Sequence, residues 1–560
     1  MLKPLRFALM SAFIVLMASC KDMTLTEDAF TVTPQILTEV GGQVPVTIDG
    51  VFPEKYFQKK AIVTVTPILK WDGGSATGEP MTFQGEKIKG NNIVVKKKDG
   101  YPFYIKFSFP YQPEMIKSEL YVTFDATVKG KIVEIPALKI ADGVISTEDL
   151  YRNTAAIARS AMSQDEYQRI IKDAQEANIM FAIQEANIRA SETNSDQMET
   201  LKEYFKLFAE DTKNFNVDNL EISAYASPDG GTDLNEKLAG QREKNAMNFI
   251  QKEMKKSKLN TDIDSKYTAQ DWDGFKTLIE KSNLQDKDLI LRILSMYEDP
   301  ERREVEIKNL SSVYGELADQ ILPQLRRARL TLNYQVIGRS DEEIQYTLKH
   351  DPRSLSCNEL LYAANLADKT ADKKDIYTST TQIYPNDYRA FNNLGVLAFQ
   401  DGDYEKAHQF YHKAMNFNSS APEIHTNLSN MLLAQGKLAE AQNHLAKGGD
   451  SPANKQAVGT SYIAQGQYSR AIDNLKDSNT DSEALAYILS RDYTNAGRTL
   501  NSIENPSAIT YYLNAVLAAR TNDANVGDYL KKAVQADPAL KERAEKDLEF
   551  AKYQNVIESL

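Results

Sequence analysis

The sequence predicts a multidomain protein with an N-terminal all-β part, a central α/β part and a C-terminal array of helical repeats. Short alternating segments separated by Gly/Asp turns fill residues 23 to about 145. A strand, a turn and a long amphipathic helix follow one another near residues 220–250. A helical pattern that repeats every 34 residues or so follows Ser340. The 560 residues are enough for three or four domains.

The first twenty residues carry a processing signal. Lys3 and Arg6 precede an apolar core at 7–17, which is too short for a stable membrane span. Residues 17–20, Met-Ala-Ser-Cys, then resemble the lipobox of bacterial lipoproteins. The resemblance implies a signal peptide at 1–19 and acylation of Cys20, for example by palmitate, with each buried CH₂ contributing about 0.8 kcal/mol. The alternative is an ordinary secretory signal with a coincidental cysteine.

Charge and cysteine content narrow the functional classes. The net charge of −12 argues against nucleic acid as the main partner. Cys357 is the only other cysteine, so no intramolecular disulfide forms once Cys20 is acylated. No later stretch is apolar enough to span a bilayer, so the acyl anchor is the expected membrane attachment.

Residues 20–146 are predicted to form a β-sandwich. Four stretches alternate between buried and exposed positions and are rich in β-branched and aromatic residues. The Gly/Asp turns between them have the spacing of an all-β sandwich, and an immunoglobulin-like sandwich is the favoured architecture. The predicted strands are 43–48, 61–68, 103–109 and 120–126.

The central part is organised around one strand and the helix after it. Ile222, Ala224 and Ala226 recur with the period of a strand that has one buried face. Residues 227–231, Ser-Pro-Asp-Gly-Gly, break this pattern. Thr232 or Asp233 is then the predicted N-cap of the amphipathic helix.

This helix resembles the peptidoglycan-associating OmpA C-terminal family. The family's Asn-x-x-Leu-x-x-x-Arg pattern stands here at Asn235, Leu238 and Arg242, whereas the strand-end Asp of the family has become Ser227. In the family, that Asp meets the ammonium of diaminopimelate and the Arg meets its carboxylate. The resemblance therefore implies a peptidoglycan site at Arg242, Asn235 and Ser227, with Asp229 as a substitute acid.

Both charged residues of this site have a second interpretation. Asp229 also suits turn chemistry. Arg242 also suits a solvated helix charge paired with Asp233 or Glu236. The resemblance extends over residues 178–336, within a predicted domain at 147–338 that has a preceding helical stretch at 147–176 and a helical insertion at about 255–322.

Residues 340–560 resemble the tetratricopeptide repeat. In the best unit, Phe391 to Gly395 is followed by Tyr404, Ala407 and Tyr411, and Ala441 lies 34 residues after Ala407. Five or six units are predicted. Their aromatic residues are interpreted mainly as core between repeats, although such arrays also bind extended peptides along one face.

No enzyme signature is found. His408 and His412 share a helix face, but Gln409 replaces the Glu of the zinc-protease motif and no third ligand lies nearby. Phosphate-binding loops and nucleophile elbows are absent from the sequence. A non-enzymatic protein without cofactors is expected, with a wall-modifying hydrolase as the alternative.

Together, the resemblances imply an outer-membrane lipoprotein of a Gram-negative cell that scaffolds an envelope assembly. The OmpA-like domain would contact peptidoglycan, and the repeats would hold a protein partner. The periplasmic side is favoured, and surface exposure is the alternative. In the second hypothesis, the OmpA-like domain has lost wall binding and serves as an interaction module of a surface-exposed or secretion/fimbrial-machine lipoprotein.

Overall fold

A computed structural model describes residues 25–284 and 286–560. The predicted signal peptide and Cys20 lie outside the described residues. The chain forms two compact units: the first combines the residues up to Gln164 with Ala367–Leu560, and the second is Asp165–Leu366. Within the described ranges, no helix is long and apolar enough to cross a membrane.

Two β-sheets form the N-terminal part of the first unit. One sheet has the order β1-β3-β8, and the other follows the path β2-β11-β9-β4-β6-β7, with β10 paired to β9 and β5 to β4. The strands are β1 (Phe30–Thr33), β2 (Ile36–Thr38), β3 (Gln43–Phe52), β4 (Ala61–Trp71), β5 (Gly74–Thr77), β6 (Met81–Gly85), β7 (Ile93–Val95), β8 (Tyr101–Pro110), β9 (Ser118–Val128), β10 (Lys131–Val133) and β11 (Leu138–Ile145).

Side chains from both sheets share one core. Alternate residues of β4 are buried, as its sequence pattern predicts. Phe52, Phe83 and Phe103 meet with ring centroids 4.8–4.9 Å apart. The four predicted strands are confirmed as parts of β3, β4, β8 and β9, and the β-rich N-terminal part is therefore confirmed. The immunoglobulin-like topology stays a prediction.

The stretch after the sheets differs from the sequence prediction. Helix α1 (Tyr151–Ala156) is short, and residues 157–169 are not helical. Leu150, Tyr151 and Ala155 are buried in the same core as the repeats. The predicted helix at 147–176, and the domain start at 147, are therefore corrected. These apolar residues are buried against helices that are distant in sequence, which periodicity cannot reveal.

The second unit is a four-stranded sheet with helices. The strand order is β12-β15-β13-β14, in which β13 and β14 are parallel and the other pairs antiparallel. The strands are β12 (Ile170–Met180), β13 (Phe215–Tyr225), β14 (Ile263–Thr268) and β15 (Arg327–Ile337). The helices are α2 (Ala190–Thr193), α3 (Asp196–Glu210), α4 (Thr232–Ser257), α5 (Trp272–Lys281), α6 (Lys287–Met296), α7 (Pro300–Lys308), α8 (Ser311–Glu316), a π-helical turn (Leu317–Ile321), α9 (Leu322–Leu325), α10 (Asp341–His350) and α11 (Cys357–Leu366).

One core lies between this sheet and α3 and α4. Ile222 and Leu330 of the sheet pack with Phe205 of α3 and Ile250 of α4. The inserted helices have a separate core that includes Phe275, Ile290 and Leu322.

Several details of the second unit differ from the prediction. The first strand spans β12 rather than 179–183, and β14 falls in the region predicted as helical insertion. Its sequence, Ile-Asp-Ser-Lys-Tyr-Thr, has too few apolar residues to predict a strand. The N-cap of α4 is Gly231 rather than Thr232 or Asp233.

The repeats begin with α12, because α10 and α11 belong to the second unit. Arg339 binds Glu359 of α11 at 2.8 and 3.0 Å and accepts a hydrogen bond from Tyr167 at 2.6 Å through its carbonyl. The predicted start at 340 is therefore corrected to 367. The remaining helices are α12 (Thr370–Ile383), α13 (Tyr388–Gln400), α14 (Tyr404–Phe417), α15 (Pro422–Ala434), α16 (Leu438–Leu445), α17 (Pro452–Ile463), α18 (Tyr468–Leu475), α19 (Asp481–Leu489), α20 (Tyr493–Ser502), α21 (Ala508–Thr521), α22 (Val526–Ala536), α23 (Ala539–Lys546) and α24 (Gln554–Glu558).

Consecutive helices from α13 to α22 pack as antiparallel pairs. Ala407 and Ala441, one repeat apart, are both fully buried. A Cβ on Gly395 would lie 2.5 Å from the ring of Tyr411, so only glycine allows α13 and α14 to approach this closely. The small residues expected where paired helices cross are therefore confirmed.

Candidate functional site

Five amide side chains lie on one face of the repeats. Asn392 and Asn393 belong to α13, Asn427 and Asn430 to α15, and Gln456 to α17. These are the first helices of three successive pairs. We call the five residues the amide face.

Residues 157–164, the connecting segment, run extended across the amide face. Asn427 accepts the N–H of Ala161 at 2.9 Å and donates to the carbonyl of the same residue at 2.8 Å. Asn393 binds both backbone groups of Ser163, at 2.8 and 3.2 Å. In an extended chain the N–H and C=O of one residue point to the same side, as they do in a strand pair. The amide face therefore binds alternate residues as a neighbouring strand would.

The same pattern continues at Arg159. Gln456 accepts its N–H at 3.2 Å, and Asn430 donates to its carbonyl at 3.4 Å. Asn392 adds a second donor to the carbonyl of Ala161 at 3.0 Å. Residues 159, 161 and 163 are thus all held through their backbone.

Burial makes these contacts energetically important. Asn392, Asn393 and Asn427 are no more than 2% exposed. A buried amide without partners costs about 1–3 kcal/mol. The amide face therefore requires an occupant that offers backbone donors and acceptors at alternate positions.

Side-chain contacts add some selectivity at the end of the segment. The hydroxyl of Ser163 donates to Oε1 of Glu423 at 2.8 Å, and Tyr388 donates to the same oxygen at 3.0 Å. Burial, followed by the charge of Glu423, raises the pKa of Tyr388 to about 12. The phenol therefore remains a hydrogen-bond donor to the carboxylate.

The residues before the connecting segment attach the β-sheets to the repeats. Oε1 of Glu148 accepts the N–H groups of Gly41 and Gly42 at 2.7 and 3.2 Å, and Tyr468 of α18 donates to Oε2. Both glycines have positive φ, of 63° and 69°, which suits this turn to glycine. Burial raises the pKa of Glu148, and the three donors oppose that shift.

The residues predicted to bind peptidoglycan lie together at the end of β13 in the second unit. Arg326 donates to the hydroxyl of Ser227 at 3.1 Å and to Asp229 at 3.0 Å, and Ser227 also donates to Asp229. Asn235 donates to the carbonyls of Ser227 and Gly230 at 3.0 and 2.8 Å. The acid that could replace the family Asp is therefore already paired with an arginine.

Arg242 has neither of the two environments weighed from the sequence. Its side chain is buried, with 1% exposed, and donates to the carbonyls of Glu185 at 2.9 Å, Tyr225 at 2.8 Å and Ala182 at 3.3 Å. Burial, with a smaller effect from Arg326, lowers the pKa of its guanidinium to about 10. Arg242 is therefore not a solvated charge, and three of its five N–H donors are used within the fold.

The inserted helices cover part of this site. Lys308 of α7 donates to the carbonyl of Asp229 at 3.2 Å. Asp229 lies in a crevice of about 10 Å³, which is at the lower limit for one water molecule. A larger polar cleft of about 800 Å³ lies beside Tyr225, Asp271 and Arg327, and none of the four predicted residues lines it. Peptidoglycan binding stays a prediction.

The histidines of the repeats form two pairs. The rings of His408 and His412 lie 4.2 Å apart, and Nδ1 of His425 lies 2.9 Å from Nδ1 of His444. In the described part of the chain, no group of three or more His, Cys, Asp or Glu side chains is arranged to hold a metal ion.

The amide face was not predicted from the sequence, although a signal was present. Asn393 and Asn427 are 34 residues apart, which places them at equivalent positions of successive repeats. A polar residue recurring at a buried helix position indicates a binding role, because core packing would favour an apolar one. Tyr411 and Tyr512, in contrast, are fully buried core residues.

Comparison with known proteins identifies the repeats. A family model described as "Tetratricopeptide repeat" matches residues 398–458. No curated protein matches the chain.

Several solved structures share the helical fold at low identity. A tetratricopeptide repeat protein from Parabacteroides merdae is 15% identical, with 37% of this chain and 91% of that chain covered and a TM-score of 0.30. PilF of Pseudomonas aeruginosa is 18% identical, with 38% and 96% covered and a TM-score of 0.26. YrrB, described as a repeat protein with an unusual peptide-binding site, is 13% identical, with 36% and 99% covered and a TM-score of 0.20. The C-terminal helical region of this chain thus contains tetratricopeptide repeats, a type of repeat that points to protein–protein interaction.

Proposed function

We propose that this protein is a non-enzymatic scaffold whose repeats bind an extended segment of a protein partner. The observation that carries the proposal is the amide face, which already holds a polypeptide backbone at Arg159, Ala161 and Ser163. Recognition through main-chain hydrogen bonds suits a binder of extended peptides.

Cross-linking tests this proposal directly. A photoreactive phenylalanine replaces Tyr388, next to Ser163, and the matched control places it at Phe417, an exposed aromatic residue of α14. We expect an adduct with a partner protein from position 388 and a much weaker one from position 417. Adding Asn393→Ala and Asn427→Ala should abolish the first adduct. Equal adducts from both positions, or adducts unchanged by the Asn substitutions, would contradict the proposal.

The proposal includes a lipid anchor at the outer membrane of a Gram-negative cell. Its support is the basic residues, apolar core and lipobox-like Met-Ala-Ser-Cys of residues 1–20. Membrane fractionation of wild type and Cys20→Ala tests it. We expect the wild type in the outer-membrane fraction and an unacylated Cys20→Ala outside it; an equal distribution of both would argue against the anchor. Protease treatment of intact cells then distinguishes the periplasmic from the surface location.

Peptidoglycan tethering by an OmpA-like second unit is a second candidate. It is favoured by the close association of Ser227, Asp229 and Asn235 at the end of β13. The pairing of Asp229 with Arg326, and the enclosure of Arg242, instead favour the hypothesis that the unit has lost wall binding. Co-sedimentation of residues 21–560 with purified sacculi separates the two. Pelleting that is lost in Asp229→Asn would establish a tether, whereas wild type in the supernatant, with binding gained in Ser227→Asp, would establish a lost site.

A further inference from the structure

We infer that the connecting segment is an intramolecular ligand of the amide face, and that the partner is an extended polypeptide of similar chemistry that binds by displacing it. This inference rests on the proposed function and specifies the partner. The partner segment would have a small side chain at the position of Ala161 and a hydroxyl residue at the position of Ser163.

The segment is held differently from the helix that precedes it. Leu150, Tyr151 and Ala155 are at most 6% exposed and belong to the core of the repeats. In the connecting segment, Ile157 is 49% exposed, and Arg159 and Gln164 are also exposed. Its attachment is mainly polar, so releasing residues 157–164 exposes little apolar surface while α1 stays in place.

The contacts that hold the segment can be reproduced by another chain. Asn427 and Asn393 bind only backbone groups of Ala161 and Ser163. A second extended backbone offers the same donors and acceptors, so the exchange leaves no buried amide unpaired. An apolar ligand or a helix lacks free backbone groups at alternate residues and would leave these amides unsatisfied.

Two positions define the side chains that fit. Ser163 is 6% exposed and donates to Glu423, so a hydroxyl donor is favoured there. The backbone of Ala161 is held by Asn392 and Asn427 together, which favours a small residue at this position. The partner is thus an extended Ala/Ser-type stretch.

Tethering sets the strength of the competition. A segment attached to its own binding site has an effective concentration of about 1 mM. A peptide that binds the empty face with a Kd of about 10 μM would therefore bind the intact chain roughly 100-fold more weakly. A natural partner must offset this with further contacts.

The test is binding of a labelled peptide to the soluble full chain, residues 21–560, followed by fluorescence anisotropy. The peptide has the sequence of residues 157–165, Ile-Ala-Arg-Ser-Ala-Met-Ser-Gln-Asp. The double substitution Ala161→Pro with Ser163→Pro removes both N–H groups that bind Asn427 and Asn393, and so releases the segment without changing the face. Gln164→Pro is the matched control, because Gln164 is an exposed residue of the same segment.

We expect the double-proline chain to bind the peptide at least tenfold more tightly than wild type or Gln164→Pro. Adding Asn427→Ala should reverse this gain, and a peptide with proline at position 161 should not bind. Equal affinity for wild type and the double-proline chain would overturn the inference, as would a gain that survives Asn427→Ala. Circular dichroism and thermal unfolding check that each variant is folded.

These outcomes are separable from those of the cross-linking experiment. A partner adduct from position 388 together with no gain in the double-proline chain would leave the scaffold standing and refute the intramolecular ligand. A gain in peptide binding without any cellular adduct would do the reverse.

Discussion

Asn427 binds both backbone polar groups of Ala161, 266 residues away in the sequence. One planar amide thus satisfies a donor and an acceptor that would otherwise pair with a neighbouring strand. Asn393 repeats the arrangement at Ser163, and the equal spacing of the two pairs follows the helical repeat. The repeats therefore use their own period to bind an extended chain.

Removing these amides should release the connecting segment. For Asn393→Ala and Asn427→Ala, we expect trypsin to cleave after Arg159 at least tenfold faster than in wild type. Each change should also lower the free energy of unfolding by about 1–3 kcal/mol, because backbone groups lose partners in a buried site. Timed digestion with mass spectrometry measures the cleavage. Asn416→Ala, an exposed asparagine of α14, is the control, and an unchanged cleavage rate in the first two variants would refute the prediction.

Arg242→Ala should destabilise the second unit whether or not the unit binds peptidoglycan. The carbonyls of Ala182, Glu185 and Tyr225 lose a charged donor, and we expect a loss of at least about 3 kcal/mol. Arg242→Lys should restore little of it, because one ammonium cannot reproduce the planar fork. Urea unfolding followed by the fluorescence of Trp272, in a Trp71→Phe background, measures the change.

An exposed residue on the same helix provides the control for Arg242. Lys244→Ala should be near neutral. Wild-type stability in Arg242→Ala would mean that the three carbonyls find other partners, contrary to the expectation.

Glu39 should make the first unit less stable as pH rises. Burial, followed by the charges of Asp149 and Glu148, raises the pKa of Glu39 to about 9, whereas an unfolded glutamate has a value near 4.5. The folded chain therefore holds an extra proton between these values, and the free energy of unfolding falls as pH rises through this window. Glu39→Gln removes that dependence and should stabilise the unit by about 2 kcal/mol or more at pH 8.

Unfolding of Glu39→Gln and wild type at pH 5 and pH 8, followed by Trp71 fluorescence, measures this effect. The gain should be larger at pH 8. Glu54→Gln, at an exposed position, should give no such difference. A gain of the same size at both pH values would contradict the assignment to Glu39.

The pair of His425 and His444 should make the repeats sensitive to acid. Nε2 of His425 donates to the carbonyl of Ser419 at 2.9 Å, so neutral His425 accepts from Nδ1–H of His444 with its own Nδ1. A second proton on His425 removes this acceptor. Burial, followed by the nearby His425 and Lys447, lowers the pKa of His444.

Because an unfolded histidine has a pKa near 6.5, the unfolded chain binds more protons just below this pH. The free energy of unfolding should therefore fall as pH decreases below about 6.5. His444→Gln keeps an N–H donor and should reduce the fall between pH 7.5 and 5.5 by about 1 kcal/mol. His350→Gln, at an exposed position, is the control, and identical pH profiles for wild type and His444→Gln would refute the prediction.

The parts of the fold that depend on periodicity could be predicted from the sequence. The alternation from Ala61 to Leu69 gave β4, and the 34-residue spacing of Ala407 and Ala441 gave the repeats. Both patterns are local, since each side chain's burial follows from its place along one strand or helix. β14 could not be predicted in this way, because its edge position leaves most of its residues exposed.

The candidate sites were less predictable. The residues of the expected wall site come together, yet Ser227 and Asp229 pair with Arg326, 99 and 97 residues away. The amide face was missed because its ligand is the chain itself. Asn393 and Ser163 are 230 residues apart, and nothing local indicates that the second would lie against the first.

The sequence by itself determined which segments form strands, which form helices and how the repeats are spaced, because each depends on residues that recur at fixed intervals. Only the tertiary structure decided that residues 157–164 lie on the amide face and that Arg242 is enclosed by three carbonyls. The physical reason is that buried polar groups take whichever partners the fold brings within hydrogen-bonding distance. Those partners lie far away in the sequence and leave no periodic signal in it.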